Sequence, residues 1–223
     1  NGPRVGTRFP LGEETIIGRD DEDVSLPEGS IDLADARVSR KHARIFIQRG
    51  RYYLEDCHST NGTFLNGITP GGSDYVYVTD TGLNSDFSSS GTDAVYKVWA
   101  NGQYEVVVKD TGMGGPNGIF AFGNGLIVVT FGSGKVFKID HSGRQIDLPN
   151  PPEGGLDGLI ALNDGRLLIS SWGGSSIYLL KGGKNYSVFA NSLDTPADIG
   201  FDSKRNRVLV PLFRKNEIVF LPL

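Results

Sequence analysis

Two stretches decide how this chain is read: Val38-Ser39-Arg40-Lys41-His42-Ala43-Arg44-Ile45 and His58-Ser59-Thr60-Asn61-Gly62-Thr63-Phe64-Leu65-Asn66-Gly67. Between them, Ala43-Arg44-Ile45-Phe46-Ile47 alternates apolar and charged residues, the pattern of a half-buried strand. Gly50 marks a turn, and Arg51-Tyr52-Tyr53-Leu54-Glu55-Asp56 follows, which predicts a hairpin. The flanking residues then fall on loops at one end of a β-scaffold. A third loop, Ile17-Gly18-Arg19-Asp20, follows the strand-like Thr15-Ile16-Ile17 and joins them. The three loops supply a guanidinium, hydroxyls and an amide. That set suits a doubly charged phosphate, which takes a planar Arg fork, short hydroxyl donors and backbone N–H groups.

The rest of the composition narrows the class. The chain has 223 residues, 38% hydrophobic and 22% charged, as in folded domains. Its 31 glycines favour many turns and short strands. A net charge of −4 gives no basic footprint for nucleic acid and no polybasic membrane patch. No apolar run approaches the ~18 residues of a membrane span. The single cysteine, Cys57, excludes an internal disulfide framework and fits a reducing compartment, so a cytoplasmic location is expected. The start, Asn-Gly-Pro-Arg, lacks an initiator Met and a signal-peptide pattern, and is read as the end of a trimmed piece. The acidic run Asp20–Asp23 is read as a solvated loop.

Texture changes near Thr69-Pro70-Gly71-Gly72-Ser73, a turn or linker composition that sets domain limits of 1–72 and 73–223. Beyond it the sequence repeats. Pro116-Asn117-Gly118-Ile119 is followed by Leu156-Asp157-Gly158-Leu159 and by Pro196-Ala197-Asp198-Ile199, at spacings of 40 and 41 residues from Asn117 to Asp157 to Asp198. Several short strands per ~40-residue repeat suit propeller blades. One repeat is predicted to hold strands at 119–122, 126–130, 135–140 and 145–148. Asn124-Gly125 and Asp164-Gly165 are expected as two-residue turns with positive φ at both centres. The array opens at Asp74–Asp80 as a second strand and closes at Glu217–Leu221 as a third, about three and a half blades.

Gly18-Arg19, Ser39-Arg40-Lys41-His42-Ala43 and Ser59-Thr60-Asn61-Gly62-Thr63 together resemble the forkhead-associated (FHA) domain over residues 8–67. The resemblance implies a β-sandwich that binds phosphothreonine peptides without catalysis or cofactor. By it, Arg19 pairs with the phosphate. Ser39 donates a hydroxyl, Arg40 adds a polar contact, and Thr60 meets the phosphate or the phosphothreonine backbone. Asn61 holds the ligand main chain, while Gly18, His42 and Gly62 support the loops. The resemblance ends after Asn66-Gly67, short of the family's full sandwich, so an incomplete sandwich is expected.

Residues 74–223 resemble the gluconolactonase/regucalcin-like propellers through Val78-Thr79-Asp80-Thr81-Gly82, Pro116-Asn117-Gly118, Leu156-Asp157-Gly158 and Asn216-Glu217-Ile218. That resemblance implies a divalent cation, Ca²⁺ or Zn²⁺, held in part by Asn117 and Asp157, and an alternative activity as a metal-dependent lactone hydrolase. The plain reading of both residues is that they make turns before inner strands. Trp99 and Trp172 are read as blade packing.

The sequence therefore predicts an all-β chain, an incomplete FHA-like sandwich followed by a partial propeller. Its expected partner is a phosphothreonine-containing protein or peptide, with no nucleic acid and no membrane. Two modules cut in mid-fold also describe a spliced or engineered chain, or one that self-associates to complete the propeller or the sandwich.

Overall fold

A computed structural model describes residues 14–18, 26–28, 30–32, 43–48, 51–56, 67–83, 88–99, 103–215 and 217–223. All regular structure among them is strand. The chain divides into two compact units, Asn1–Phe64 with Ala100–Gln103, and Leu65–Trp99 with Tyr104–Leu223.

In the first unit, β1 (Glu14–Gly18), β2 (Ile31–Asp32), β3 (Ala43–Gln48) and β4 (Arg51–Asp56) form one sheet in the order β2-β1-β3-β4. The predicted hairpin is β3–β4, in continuous antiparallel register from Ala43↔Asp56 to Gln48↔Arg51. β1 runs antiparallel to β3 and parallel to β2. Thr15 and Ile16 are buried. The exposed end of β1 is tied by a 2.8 Å ion pair from Arg44 to Glu14.

The second unit holds four further sheets. β5 (Gly67–Pro70), β6 (Tyr75–Asp80), β7 (Ala94–Trp99) and β8 (Tyr104–Lys109) make the first blade. β9 (Pro116–Phe122), β10 (Gly125–Thr130), β11 (Val136–Ile139) and β12 (Gln145–Asp147) make the second. β13 (Leu156–Ala161), β14 (Leu167–Ser171), β15 (Ser176–Lys181) and β16 (Asn185–Ala190) make the third. The fourth is three-stranded: β17 (Gly200–Asp202), β18 (Arg207–Leu212) and β19 (Glu217–Pro222). Neighbouring strands within each blade are antiparallel.

The second strands explain the packing. Leu126-Ile127-Val128-Val129 and Leu167-Leu168-Ile169 are continuous apolar runs, the signature of strands covered on both faces. Alternate residues go to opposite neighbours. Leu126 and Val128 join Phe137 and Ile139 against the first blade's Val95 and Tyr77. Ile127 and Val129 face Leu156, Leu159, Leu167 and Ile169 of the third blade. Leu168 and Ile177 face Val208, Val210 and Leu212 of the fourth. Each fully buried side chain of this kind stabilises by about 1.5–3 kcal/mol.

Three sequence expectations change. Thr69-Pro70, taken as the start of the linker, is strand: β5 is the innermost strand of the first blade, paired from Gly67↔Thr79 to Pro70↔Val76. The turn between β9 and β10 is centred on Gly123-Asn124, with Gly125 already paired to Phe122. Gly123 has φ of +60°, a positive first centre that suits a glycine-led hairpin turn. The turn before β14 is longer than two residues. Gly165 N–H donates to Leu162 carbonyl, and Gly165 alone takes the positive φ, +83°.

Candidate functional site

Of the phosphate-reading residues expected from sequence, only Gly18 is described, at the end of β1. Arg19, Ser39, Arg40, His42, Thr60, Asn61 and Gly62 lie outside the described residues, as do Cys57 and Asp20–Asp23. What the structure supplies is their frame. β1 delivers the chain to Arg19, β3 starts directly after His42, and β4 ends directly before Cys57. The antiparallel pairs Ile17↔Ala43 and Ala43↔Asp56 put all three departure points at one end of the sheet.

The second unit brings the repeat-equivalent residues together. Asn117 opens the second blade's inner strand, Asp157 the third's, and Asp198 stands just before the fourth's. One repeated device sets their spacing. A β-carbon at Gly118 would collide with the Asp157 carbonyl, and one at Gly158 with the backbone of Asp198 and Ile199. Gly67 stands in the same relation to the Asn117 carbonyl. Only glycine allows so close an approach. Hydroxyls complete the joints: Thr79 Oγ1 donates to the Asn117 carbonyl at 2.5 Å, and Ser170 Oγ donates to the Ala197 carbonyl at 2.9 Å. Further along, the inner strands line a cavity of about 470 Å³ with Ile68, Phe120, Ile160, Asp198 and Phe201 on its wall. All four blades thus converge on one channel.

The electrostatics at the strand openings are unusual. Asp157 is pushed up to about 7, first by burial and then by the neighbouring charge of Asp198; the indole of Trp172 pulls it modestly the other way. Burial pushes Asp198 up to about 6, against a backbone N–H from Ile199. Two neighbouring carboxyls, one of them half-buried, repel each other when both are ionised. Trp172 sits between Phe131, edge-on at 5.1 Å, and Phe213, tilted at 5.2 Å, and its buried Nε1 has no hydrogen-bond partner among the described residues. Sequence reading matched Asp198 to the repeat yet did not assign it to the site. The 41-residue spacing from Asp157 was the available signal. Trp172 packs between blades as expected and lies beside the Asp157 carboxyl.

Asn117, Asp157 and Asp198 carry oxygen donors alone, one amide and two carboxylates, and no group of three or more His, Cys, Asp or Glu placed to hold a metal ion occurs among the described residues. Such a set fits a hard cation such as Ca²⁺ and lacks the nitrogen or sulfur ligands common at Zn²⁺ sites.

Comparison with known proteins separates the two units. Residues 15–84 match the FHA domain family, beyond the Gly67 limit inferred from motifs. An oxoglutarate dehydrogenase inhibitor from Corynebacterium efficiens is 41% identical over 66 residues, 29% of this chain and 42% of that protein. The glycogen accumulation regulator GarA of Mycolicibacterium smegmatis is 38% identical over 66 residues, 29% of this chain and 38% of that protein. The chain therefore spans about two fifths of the length of these relatives. Among solved structures, a gluconolactonase from Xanthomonas campestris superposes with a TM-score of 0.59 at 18% identity, covering 82% of this chain and 65% of that one. Virginiamycin B lyase from Staphylococcus aureus superposes at 0.55 and 18% identity, covering 83% and 61%. At such identities the likeness is one of fold. Among the described residues no helix is long and apolar enough to cross a membrane. Residues 15–84 thus match the FHA domain family, and the sheets of the second unit have a β-propeller fold like that of gluconolactonase and virginiamycin B lyase.

Proposed function

We propose that the chain is a phosphothreonine-recognition module that binds phosphorylated protein segments without catalysis. The FHA family match over residues 15–84 carries this reading. It is supported by the sheet frame, in which the strand ends Gly18, Ala43 and Asp56, adjoining the stretches of Arg19, Ser39–His42 and Thr60–Asn61 in sequence, lie at one end. The relatives named as an inhibitor and a regulator fit a recognition role. Arg19 supplies the bidentate fork, Ser39 and Thr60 the hydroxyl donors, Arg40 a further cation and Asn61 the main-chain contact. Hydrogen bonds to charged groups contribute about 1.5–3 kcal/mol. Arg19→Ala is therefore expected to weaken a phosphothreonine peptide by roughly 10- to 100-fold in calorimetric titration. An unchanged dissociation constant would remove the assignment.

A second reading concerns the channel and rests on the neighbouring carboxyls of Asp157, half-buried, and Asp198, exposed. With Asn117 they offer a hard cation three oxygen donors, and the cation would supply Lewis acidity and relieve the carboxylate repulsion. Calcium titration at pH 8 is expected to give saturable heat that disappears in Asp157→Asn. No heat, or heat retained in that variant, would discard the cation.

A further inference from the structure

The joint between the first and second blades departs from the repeat. Thr79 and Ser170 make the same hydroxyl bond to the next blade. Two residues before each, a row of side chains crosses the sheet: Tyr77↔Lys97↔Glu105 in the first blade and Leu168↔Leu179↔Ser187 in the third. The second blade's row, 41 residues before the third's, is Ile127↔Lys138↔Ile146. Ile127 and Leu168 are 5% and 0% exposed in the joints they face. Tyr77 is only half-buried and Glu105 is exposed. One row further out, Tyr75 pairs with Trp99, at a position where the second blade has Gly125 and the third Arg166. Packing of one blade on the next therefore does not call for these aromatic rings.

Opposite them the second blade presents two small turns, Gly123-Asn124-Gly125 and His141-Ser142-Gly143. The space between is a groove of about 530 Å³, within the ~300–1,000 Å³ of small-molecule sites. Its whole lining is described and belongs to the second unit. It takes the far end of β9, at Ala121, whereas Asn117 and the channel donors stand at the start of that strand. The rings are held in place by the chain itself. Gly71 N–H donates to the Tyr75 carbonyl at 3.1 Å, and a β-carbon at Gly71 would strike the rings of Tyr75 and Tyr77. Tyr75 meets Tyr77 edge-on at 5.5 Å and Trp99 at 6.2 Å. Lys97 Nζ lies 4.3 Å from the Tyr75 ring centre and 4.4 Å from that of Trp99. Its pair with Glu105 is 3.8 Å, beyond hydrogen-bond length, so both groups keep capacity for a third partner.

The chemistry of this wall selects a ligand. Lys97 and Glu105 balance each other, and Asp140 is already engaged by Ser142 and Arg144. An anion drawn to Lys97 would meet Glu105, and a cation drawn to Glu105 would meet Lys97; like charges so placed are costly. What remains is a donor and an acceptor side by side, next to aromatic rings with an apolar face and a polar tip. A sugar matches this, because its C–H face lies on an aromatic ring while each hydroxyl both donates and accepts. We propose that the groove binds a neutral mono- or disaccharide, its ring set against Tyr75 and Tyr77 and its hydroxyls bridging Lys97 and Glu105. Asn124 adds an amide from the opposite turn.

Saturation-transfer NMR and calorimetry on the intact chain test it, with lactose, cellobiose and maltose as neutral probes and glucuronic acid and glucosamine as charged ones. At least one neutral sugar is expected to bind saturably, roughly ten-fold more tightly than either charged one. Lys97→Met and Glu105→Gln are each expected to weaken it roughly ten-fold, as for loss of a hydrogen bond to a charged group. Asn124→Trp changes an exposed turn residue, so circular dichroism is expected to be unchanged while the indole fills the groove and abolishes binding. Asp157→Asn, in the channel, is expected to leave the affinity as it was. No binding across the panel, preference for a charged sugar, binding that survives Asn124→Trp, or binding lost in Asp157→Asn would each overturn the proposal.

Discussion

Raising the pH from 5 to 8 in the absence of divalent cations is expected to weaken the fold by about 1–2 kcal/mol, a reduced effect because Asp157 is half-buried and solvent screens the exposed Asp198. The cause is the pair Asp157 and Asp198, pushed up to about 7 and about 6. In the unfolded chain both titrate near 3.9. Between about pH 4 and 7 the native state therefore holds protons that the unfolded state has released. Stability falls as pH rises through that window and levels off above it. One pKa unit is worth about 1.4 kcal/mol as an upper bound, and solvent screening at the exposed Asp198 lowers its share. Asp140, Asp164 and Asp202 are shifted the other way by their Arg and Ser partners, so their contribution is lost only as pH falls below about 4. Urea denaturation at pH 5 and 8 reads the difference. Replacing both Asp157 and Asp198 by Asn is expected to abolish it, and calcium at pH 8 to offset it. A wild type equally stable at both values would show that the two carboxyls are not held as close neighbours in the native state.

Phe137→Ala is expected to cost about 3–5 kcal/mol, the range for a fully buried aromatic truncated in a packed core. Phe137 is 0% exposed and touches both the Leu126–Val128 strand and the first blade's Val95. Its loss opens a cavity at the joint between two blades, where neither sheet can collapse without breaking its own ladder. Against a typical total of ~5–15 kcal/mol, this is a large fraction of the fold. Phe213→Ala is the matched control. Phe213 is 62% exposed and stacks on Trp172, so a change of about 0.5–1 kcal/mol is expected. Equal effects from the two variants would mean that the first two blades do not share a core.

Much of this architecture is legible in the sequence because its signals are local. The 40- and 41-residue recurrence of Asn117, Asp157 and Asp198 marks the blades, and the alternation in Ala43–Ile47 marks the hairpin. What escapes sequence reading depends on long-range pairing. Thr69-Pro70 has linker composition, yet Pro70 tolerates its place because β5 is an edge strand with β6 as its single neighbour. Gly67 ends the recognition motif and also gives the close approach to Asn117. That double use follows only from the packing of one blade on the next. The turn at Gly123-Asn124 shifted by one residue because two glycines flank Asn124, and pairing of Gly125 with Phe122 decides between them. The role of Asp198 emerges only from the nearness of its charge to Asp157, since an Asp before a short strand reads equally well as a turn residue.

Recognition of phosphothreonine is tested most directly by titrating the intact chain with one peptide in two forms, phosphorylated and unphosphorylated at a single threonine. The dianionic phosphate is the group that the Arg19, Ser39 and Thr60 loops are assigned to hold. The phosphorylated form is expected to bind at least ten-fold more tightly, a difference of about 1.4 kcal/mol or more. Equal affinity for the two forms, or no binding of either, would contradict it.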